Sequence, residues 1–236
     1  MPVLLLCYGE PRAKTLLKEA IEARYGLNPP ALDSLKLEFE GSAPFKVAFV
    51  RSWVPVTSEA YFVFPTRLRW DFTVKPFGLP VQRGADAYDG ETFRMVRGKA
   101  SEAQDEAQAL EAARRRLLLI TAILLTPLSE TFVQVHNADG LSFDATNAKF
   151  GDTVRLTLRE DRTLASASVE CFNHEAEKHQ RLTFHLSPEQ SPINGLMLPS
   201  EMTMTWDDEV FYKVRPIQAQ PNAALDDALF RLEQDA

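Results

Sequence analysis

Residues 68–75 read Leu68-Arg69-Trp70-Asp71-Phe72-Thr73-Val74-Lys75, and apolar and polar side chains alternate through all eight positions. Alternation with a period of two indicates a half-buried β-strand, because successive side chains of a strand point to opposite faces of the sheet. A register slip of one residue would move all four apolar side chains into water. The segment therefore predicts a strand with a well-specified register in a sheet that has one buried face.

Similar patterns lie on both sides of this strand. Leu35, Leu37 and Phe39 alternate with charged residues, and Asp89-Gly90 is a typical hairpin turn between strands at 81–88 and 92–97. Residues 41–44 predict a turn, followed by strands at 45–53 and 60–64. After residue 125 the pattern predicts further strands at 131–135, 154–158, 164–172, 182–186 and 202–206.

Two segments have helical periodicity instead. In residues 12–25 the apolar side chains recur at helical spacing, and a glycine and two prolines follow. The second segment is predicted at 101–125, where Ser101 is placed as the N-cap and Gln104 as its partner in a capping box.

The second half of the longer helix is apolar on all sides. Residues 117–125 contain one polar side chain, Thr121, and a helix that is apolar all round is buried on several sides. The order helix, strands, long helix, strands favours an α+β fold. It predicts one domain over residues 1–236, with a single strongly curved antiparallel sheet and helices on one face.

Composition excludes several classes of function. The chain has 236 residues and a net charge of −7, which disfavours a general nucleic-acid binder because such proteins need a basic face. No stretch approaches the roughly 20 apolar residues of a membrane span. Residues 1–7 are apolar but too short for a visible signal peptide. Cys7 and Cys171 are compatible with one long-range disulfide or with two separate thiols.

The sequence predicts no catalytic or metal centre and no cofactor. His174 and His179 are five positions apart, whereas zinc ligands on a helix are four apart, so their polar segment is interpreted as a hairpin tip. Cys171 next to His174 lacks an orienting third group. Residues 207–209 are interpreted as an acidic turn, and the arginines at 114–116 as a solvated face.

Aromatic side chains are concentrated between residues 53 and 93. They are compatible with an ordinary core or with the wall of a cavity, and the sequence does not separate the two. The residues concerned are Trp53, Tyr61, Phe62, Phe64, Trp70, Phe72, Tyr88 and Phe93.

One pattern goes beyond composition. Phe64-Pro65-Thr66-Arg67-Leu68-Arg69-Trp70-Asp71, followed by Ala87-Tyr88-Asp89-Gly90-Glu91-Thr92-Phe93, resembles the start of the periplasmic lipoprotein-carrier (LolA-like) superfamily. Val154 to Leu158, Leu182-Thr183-Phe184 and Gly195-Leu196-Met197-Leu198-Pro199 resemble later parts of it. The similarity covers most of the chain loosely, through short motifs.

The resemblance implies an open half-barrel whose helices cover the concave face and enclose a hydrophobic cavity. It further implies non-enzymatic binding of a lipid or of a lipoprotein acyl chain, as carrier or sensor, in the periplasm or cell envelope. A membrane-bound delivery partner would fit such a role. The expected cavity lining is Trp53, Phe62, Phe64, Trp70, Phe72, Tyr88, Phe93, Leu117, Leu118, Ile120 and Leu124.

Two other functions remain open on the sequence. The first is a protein–protein interaction module that uses an apolar sheet face or a sheet edge. The second is an enzyme that uses the Cys171–His174 neighbourhood or the acidic turn.

Overall fold

The computed structural model describes residues 8–47, 50–98, 100–101 and 106–232. Its two α-helices are α1 (Pro11–Tyr25) and α2 (Glu106–Leu124), and short 3-10 helices lie at Pro76–Gly78, Thr126–Ser129 and Asp227–Phe230. The strands are β1 (Tyr8–Gly9), β2 (Ser34–Val47), β3 (Val50–Val63), β4 (Arg67–Val74), β5 (Gln82–Tyr88), β6 (Phe93–Arg97), β7 (Ala100–Ser101), β8 (Val133–Asp139), β9 (Ser142–Asn147), β10 (Thr153–Leu158), β11 (Leu164–Asn173), β12 (Lys178–Leu186), β13 (Gln190–Ile193), β14 (Leu196–Pro199), β15 (Met202–Trp206) and β16 (Glu209–Pro221).

One large sheet organises the fold. Over the described residues it has 14 strands in the order β1-β8-β9-β10-β11-β12-β15-β16-β2-β3-β4-β5-β6-β7, and β13 and β14 form a separate hairpin. Neighbouring strands are antiparallel apart from the short parallel pair β1 and β8. The sheet is open, with β1 at one edge and β7 at the other, and the predicted α+β class with a single antiparallel main sheet is confirmed.

The position of α2 shows that the sheet is strongly curved. The helix packs against β10 and β11, and it also packs against β4 and β6 in the other half of the sheet. In a flat sheet β11 and β4 would be separated by roughly 30 Å, since strands are spaced about 4.8 Å apart. A helix only about 10 Å across reaches both because the sheet bends around it. The predicted placement of a helix on the concave face is confirmed.

The hairpin of β2 and β3 differs from the prediction. Two 14-residue strands pair from Ser34↔Val63 to Val47↔Val50, so no turn occurs at 41–44 and no single strand spans 45–53. Gly41 lies inside β2, where an added Cβ would stand 2.1 Å from the backbone oxygen of Lys213 on β16. The glycine is therefore required by close approach of two strands, which a sequence alone does not distinguish from a turn.

The helix α1 was predicted at 12–25 and begins one residue earlier. Ser101 lies in β7 and α2 is described from Glu106, while residues 102–105, including Gln104, lie outside the described ranges, so the capping box at Ser101 stays a prediction. The predicted burial of the second half of α2 is confirmed: Leu117, Leu118, Leu119 and residues 121–125 are all buried.

The two helices meet at their C-terminal ends. The Arg24 guanidinium donates to the carbonyl oxygen of Ile123, and the Tyr25 hydroxyl donates to that of Leu124 at 3.1 Å. These carbonyls end the hydrogen-bond ladder of α2, where a positive charge also complements the helix dipole. Neither α1 nor the described part of α2 is long and apolar enough to cross a membrane.

Candidate functional site

A cavity of about 510 Å³ lies between α2 and the concave face of the sheet. It is not closed off from solvent. Apolar side chains from both halves of the curved sheet form most of its wall, and the wall includes Phe45, Val56, Phe62, Leu68, Trp70, Phe72, Val74, Phe93, Met95, Ala113, Ile120, Leu182, Phe184, Met204, Trp206, Phe211 and Tyr212.

Strand alternation explains which side chains reach this space. The even-numbered residues of β4, Leu68 to Val74, all line the cavity, as the pattern that opens the sequence analysis predicts for one shared face. On α2 the lining residues are Ala113, Arg116 and Ile120, which are spaced three and four apart and so form one stripe of the helix. The cavity therefore lies where one stripe of α2 faces the apolar side of the sheet.

Five of the eleven side chains expected to line a cavity do so. Trp70 stacks on Phe39, with ring centroids 5.2 Å apart, and the Arg97 guanidinium lies over the Phe72 ring at 5.0 Å. The five residues are Phe62, Trp70, Phe72, Phe93 and Ile120.

The other six lie elsewhere. Leu124 lines a small neighbouring cavity of about 20 Å³, which shares Phe62, Trp70, Ile120 and Phe184 with the large one. Phe64 follows the end of β3 and stacks on Phe62, with centroids 5.9 Å apart. The remaining three buried side chains pack in the core away from the cavity: Leu117, Leu118 and Tyr88.

Trp53 is on the opposite face of the sheet from the cavity. It is 46% exposed, and the ammonium group of Lys213 lies 5.4 Å from its ring. The reason is parity along β3, since Val54, Val56 and Phe62 point inward and an odd-numbered residue of the same strand points outward. The sequence analysis predicted separate strands at 45–53 and 60–64 in place of the continuous β3, so the outward direction of Trp53 could not be predicted from this parity.

The cavity wall also contains charged and polar residues, and the sequence analysis assigned only His174 among them to a site, as part of the alternative enzyme site. We call four of them the charged cluster, namely Asp86 on β5, Arg97 on β6, Arg116 on α2, and His174 in the turn after β11. The wall also includes Gln82, Asn173 and Glu175. For one member of the cluster, strand alternation could have predicted the position, because Arg97 lies on the same face of β6 as Phe93 and Met95.

Several polar atoms of the charged cluster have no hydrogen-bond partner. Arg97 Nη1 lies 2.6 Å from Asp86 Oδ1 in an ion pair without hydrogen-bond geometry, and Arg116 Nη1 lies 3.7 Å from Asp86 Oδ2. Arg116 Nε and His174 Nε2 are buried without a hydrogen-bond partner. Burial and, after it, the charge of Arg116 lower the pKa of His174 to about 4.

The arginines at 114–116 do not form a solvated face. Their side chains are 23% to 26% exposed and each has a specific partner. Arg114 Nε and Arg115 Nε each donate to the buried carboxylate of Asp152 at 3.1 Å, and Arg116 faces the cavity. Curvature of the sheet brings strands around this helix, so charges that look solvent-facing in sequence are enclosed.

The segment after Cys171 is a hairpin tip, as predicted, since residues 174–177 connect β11 to β12. Cys171 is fully buried with a free thiol whose pKa is raised by burial, which makes the thiolate scarce at neutral pH. Cys7 lies outside the described residues. Among those residues, no group of three or more His, Cys, Asp or Glu side chains is placed to hold a metal ion.

Comparisons with known proteins give matches among solved structures. No family model and no curated protein matches the chain. It is similar to a LolA superfamily protein from Nitrosomonas europaea, with 12% identity, a TM-score of 0.49, and coverage of 93% of this chain and 97% of the other. A DUF1329 family protein from Desulfovibrio piger has 11% identity and a TM-score of 0.46, with coverage of 93% and 97%.

A domain named for outer membrane lipoprotein sorting, from Vibrio parahaemolyticus, has 10% identity and a TM-score of 0.46, with coverage of 92% of this chain and 97% of the other. With identities of 12% or less, these similarities concern the fold and assign no function.

Proposed function

We propose that this protein binds one acyl chain, from a lipid or a lipoprotein, in the cavity between α2 and the concave face of the sheet. It does so without catalysis, as a carrier or sensor. The observation that carries the proposal is the cavity itself, which has a volume of about 510 Å³ and a mostly apolar wall. Pockets for small molecules typically have volumes of ~300–1,000 Å³ and predominantly apolar linings.

The energetics favour a flexible apolar guest. Each methylene group moved from water into an apolar environment contributes about 0.8 kcal/mol, so a long chain binds without many polar contacts. Met95 and Met204 in the wall add to this, because unbranched thioether side chains adapt to guests of irregular shape.

A direct test measures uptake by delipidated protein. Purified protein is stripped of bound lipid, and native mass spectrometry then follows its mass while a fluorescent fatty acid is added. We expect a 1:1 complex and saturable fluorescence. No mass increase and no saturation in either measurement would overturn the proposal.

A cavity-filling variant assigns the uptake to this site. Ile120→Trp adds an indole ring inside the cavity, and we expect it to weaken binding of the fluorescent fatty acid by at least about tenfold. Ile217→Trp is the matched control, because Ile217 is 45% exposed on β16 and does not line the cavity. Equal weakening in both variants would place the binding elsewhere.

The same experiments address an interaction module that uses an apolar sheet face or edge. That function predicts a stoichiometric protein partner after affinity purification and no lipid in the native mass spectrum.

The motif resemblance also predicts a periplasmic or cell-envelope location and a membrane-bound delivery partner. Fractionation of cells that produce the full-length protein tests the location.

A further inference from the structure

The charged cluster interrupts an otherwise mostly apolar cavity wall. Its four members come from four elements and are far apart in sequence, yet they all line one space. Each is in contact with an aromatic ring or a neighbouring charge. Phe93 stacks on the His174 ring with centroids 5.9 Å apart, and the Arg116 guanidinium lies 5.8 Å from the Trp206 ring centroid.

Two nitrogen atoms of the cluster have no hydrogen-bond partner. Arg116 Nε and His174 Nε2 are both buried, and neither has a hydrogen-bond partner in the described part of the chain. A buried polar group without a partner destabilises the protein, and a charged group does so more strongly. At a cavity wall, such unpaired polar atoms can form hydrogen bonds with a polar group of a ligand that enters the cavity.

The charge balance of the cluster is positive. Two guanidinium groups, Arg97 and Arg116, face the single carboxylate of Asp86, which lies closer to Arg97. His174 is neutral at neutral pH because its pKa is about 4. Glu175 also lines the cavity but is exposed at the hairpin tip, and the neighbouring thiol of Cys171 is neutral. The less tightly paired cation is Arg116.

We propose that the guest is an amphiphile with an anionic head group, which Arg116 and His174 bind while the acyl chain lies along Trp70, Phe72 and Ile120. This inference rests on the proposed function and adds the chemical class of the ligand. A carboxylate and a phosphate share the required chemistry, because guanidinium groups bind both through charge-assisted and often bidentate hydrogen bonds. A neutral imidazole that carries its hydrogen on Nε2 donates one more.

The test compares head groups on one chain length. Hexadecanoate, hexadecyl phosphate, hexadecanol and hexadecyltrimethylammonium are titrated into delipidated protein below their aggregation concentrations. We expect the two anions to bind at least about tenfold more tightly than the alcohol, with the cation weakest, as for hydrogen bonds to a charged group. The ratio of the two anions distinguishes a carboxylate ligand from a phosphate ligand.

Three variants locate the effect. Arg116→Gln should bind the acid and the alcohol with similar affinity, while its affinity for the alcohol stays near that of the wild type. Arg116→Lys should restore part of the preference for the acid, which shows that a charge and not a fold defect is responsible. Arg181→Gln makes the same change in net charge at a side chain that is 63% exposed on β12, and it should keep the full preference.

The outcomes separate this inference from the proposed function. If all four amphiphiles bind with equal affinity, or the cation binds most tightly, the head-group assignment is overturned and the acyl-chain cavity stands. If none binds, the proposed function itself fails. Loss of the preference in Arg181→Gln as well as in Arg116→Gln would also overturn the assignment, since the effect would then come from net charge.

Discussion

The imidazole of His174 lies in the cavity wall next to charges from three other elements. Burial lowers its pKa to about 4; Arg116 and Arg97 also lower it, while Asp86 raises it. In the unfolded chain the same side chain titrates near 6.5. Between about pH 6.5 and about pH 4 the unfolded state therefore binds a proton that the folded state excludes, and the free energy of unfolding falls as the pH is lowered through this window.

We predict that His174→Gln removes this part of the pH dependence. The full shift in the pKa of His174 would correspond to a change of about 3 kcal/mol in the free energy of unfolding. Because the ring is only half-buried and solvent screens its charge, we expect a change of about 1–2 kcal/mol. Urea unfolding of both proteins across the window gives the difference in unfolding free energy at each pH. Curves that stay parallel from neutral pH to about pH 4 would contradict the prediction, because every other titrating group is common to both proteins.

The elements around the cavity are held by a buried ion pair on the far side of α2. The Asp152 side chain is 4% exposed between β9 and β10, and each of its carboxylate oxygens accepts one hydrogen bond, from Arg114 and from Arg115. Removing one partner of a buried pair leaves a charge without compensation. We predict that Asp152→Asn lowers the free energy of unfolding by about 2–4 kcal/mol, measured by urea denaturation.

An exposed pair gives the matched control for Asp152→Asn. Glu40 and Arg215 are 2.6 Å apart on β2 and β16, with side chains 47% and 65% exposed. Glu40→Gln makes the same chemical change and should cost less than about 1 kcal/mol, because solvent already screens this pair. Similar losses in the two variants would show that Asp152 does not anchor the helix.

How far the sequence predicted these elements depends on whether the deciding contact is local. Alternation in residues 68–75 predicted β4 and its inward face, since strand parity is a property of neighbouring residues. It did not predict the course of β2, because Gly41 is explained by the backbone of Lys213 on another strand. The sequence analysis also placed Trp53 on the cavity face. Its outward direction can be predicted from strand alternation only if β3 is known to be continuous.

The charged cluster could not be predicted because no short stretch of sequence contains it. Asp86, Arg97, Arg116 and His174 meet only because the sheet bends far enough for one helix to reach both of its halves. In sequence each has an ordinary setting on a strand, on a helix or in a polar turn. The curvature itself follows from many strand pairs together, which single-sequence patterns do not resolve.

At the scale of the whole molecule, the curved sheet sets a limit on the guest that the cavity holds. Walls formed by β2 to β6 on one side and by β12, β15 and β16 on the other border, together with α2, an open cavity of about 510 Å³. A chain that fits wholly inside gains about 0.8 kcal/mol per methylene, or about fourfold in Kd, whereas carbons beyond the wall remain in water and add little.

We therefore predict a break in the chain-length dependence of binding. Saturated fatty acids from octanoate to eicosanoate, titrated into delipidated protein below their aggregation concentrations, should bind about fourfold more tightly with each methylene and then reach a plateau. Ile120→Trp shortens the space and should move the plateau to shorter chains, while Ile217→Trp should leave it unchanged. An affinity that rises without a plateau, or a plateau that the two variants do not separate, would mean that the chain spreads over an open surface instead of filling this cavity.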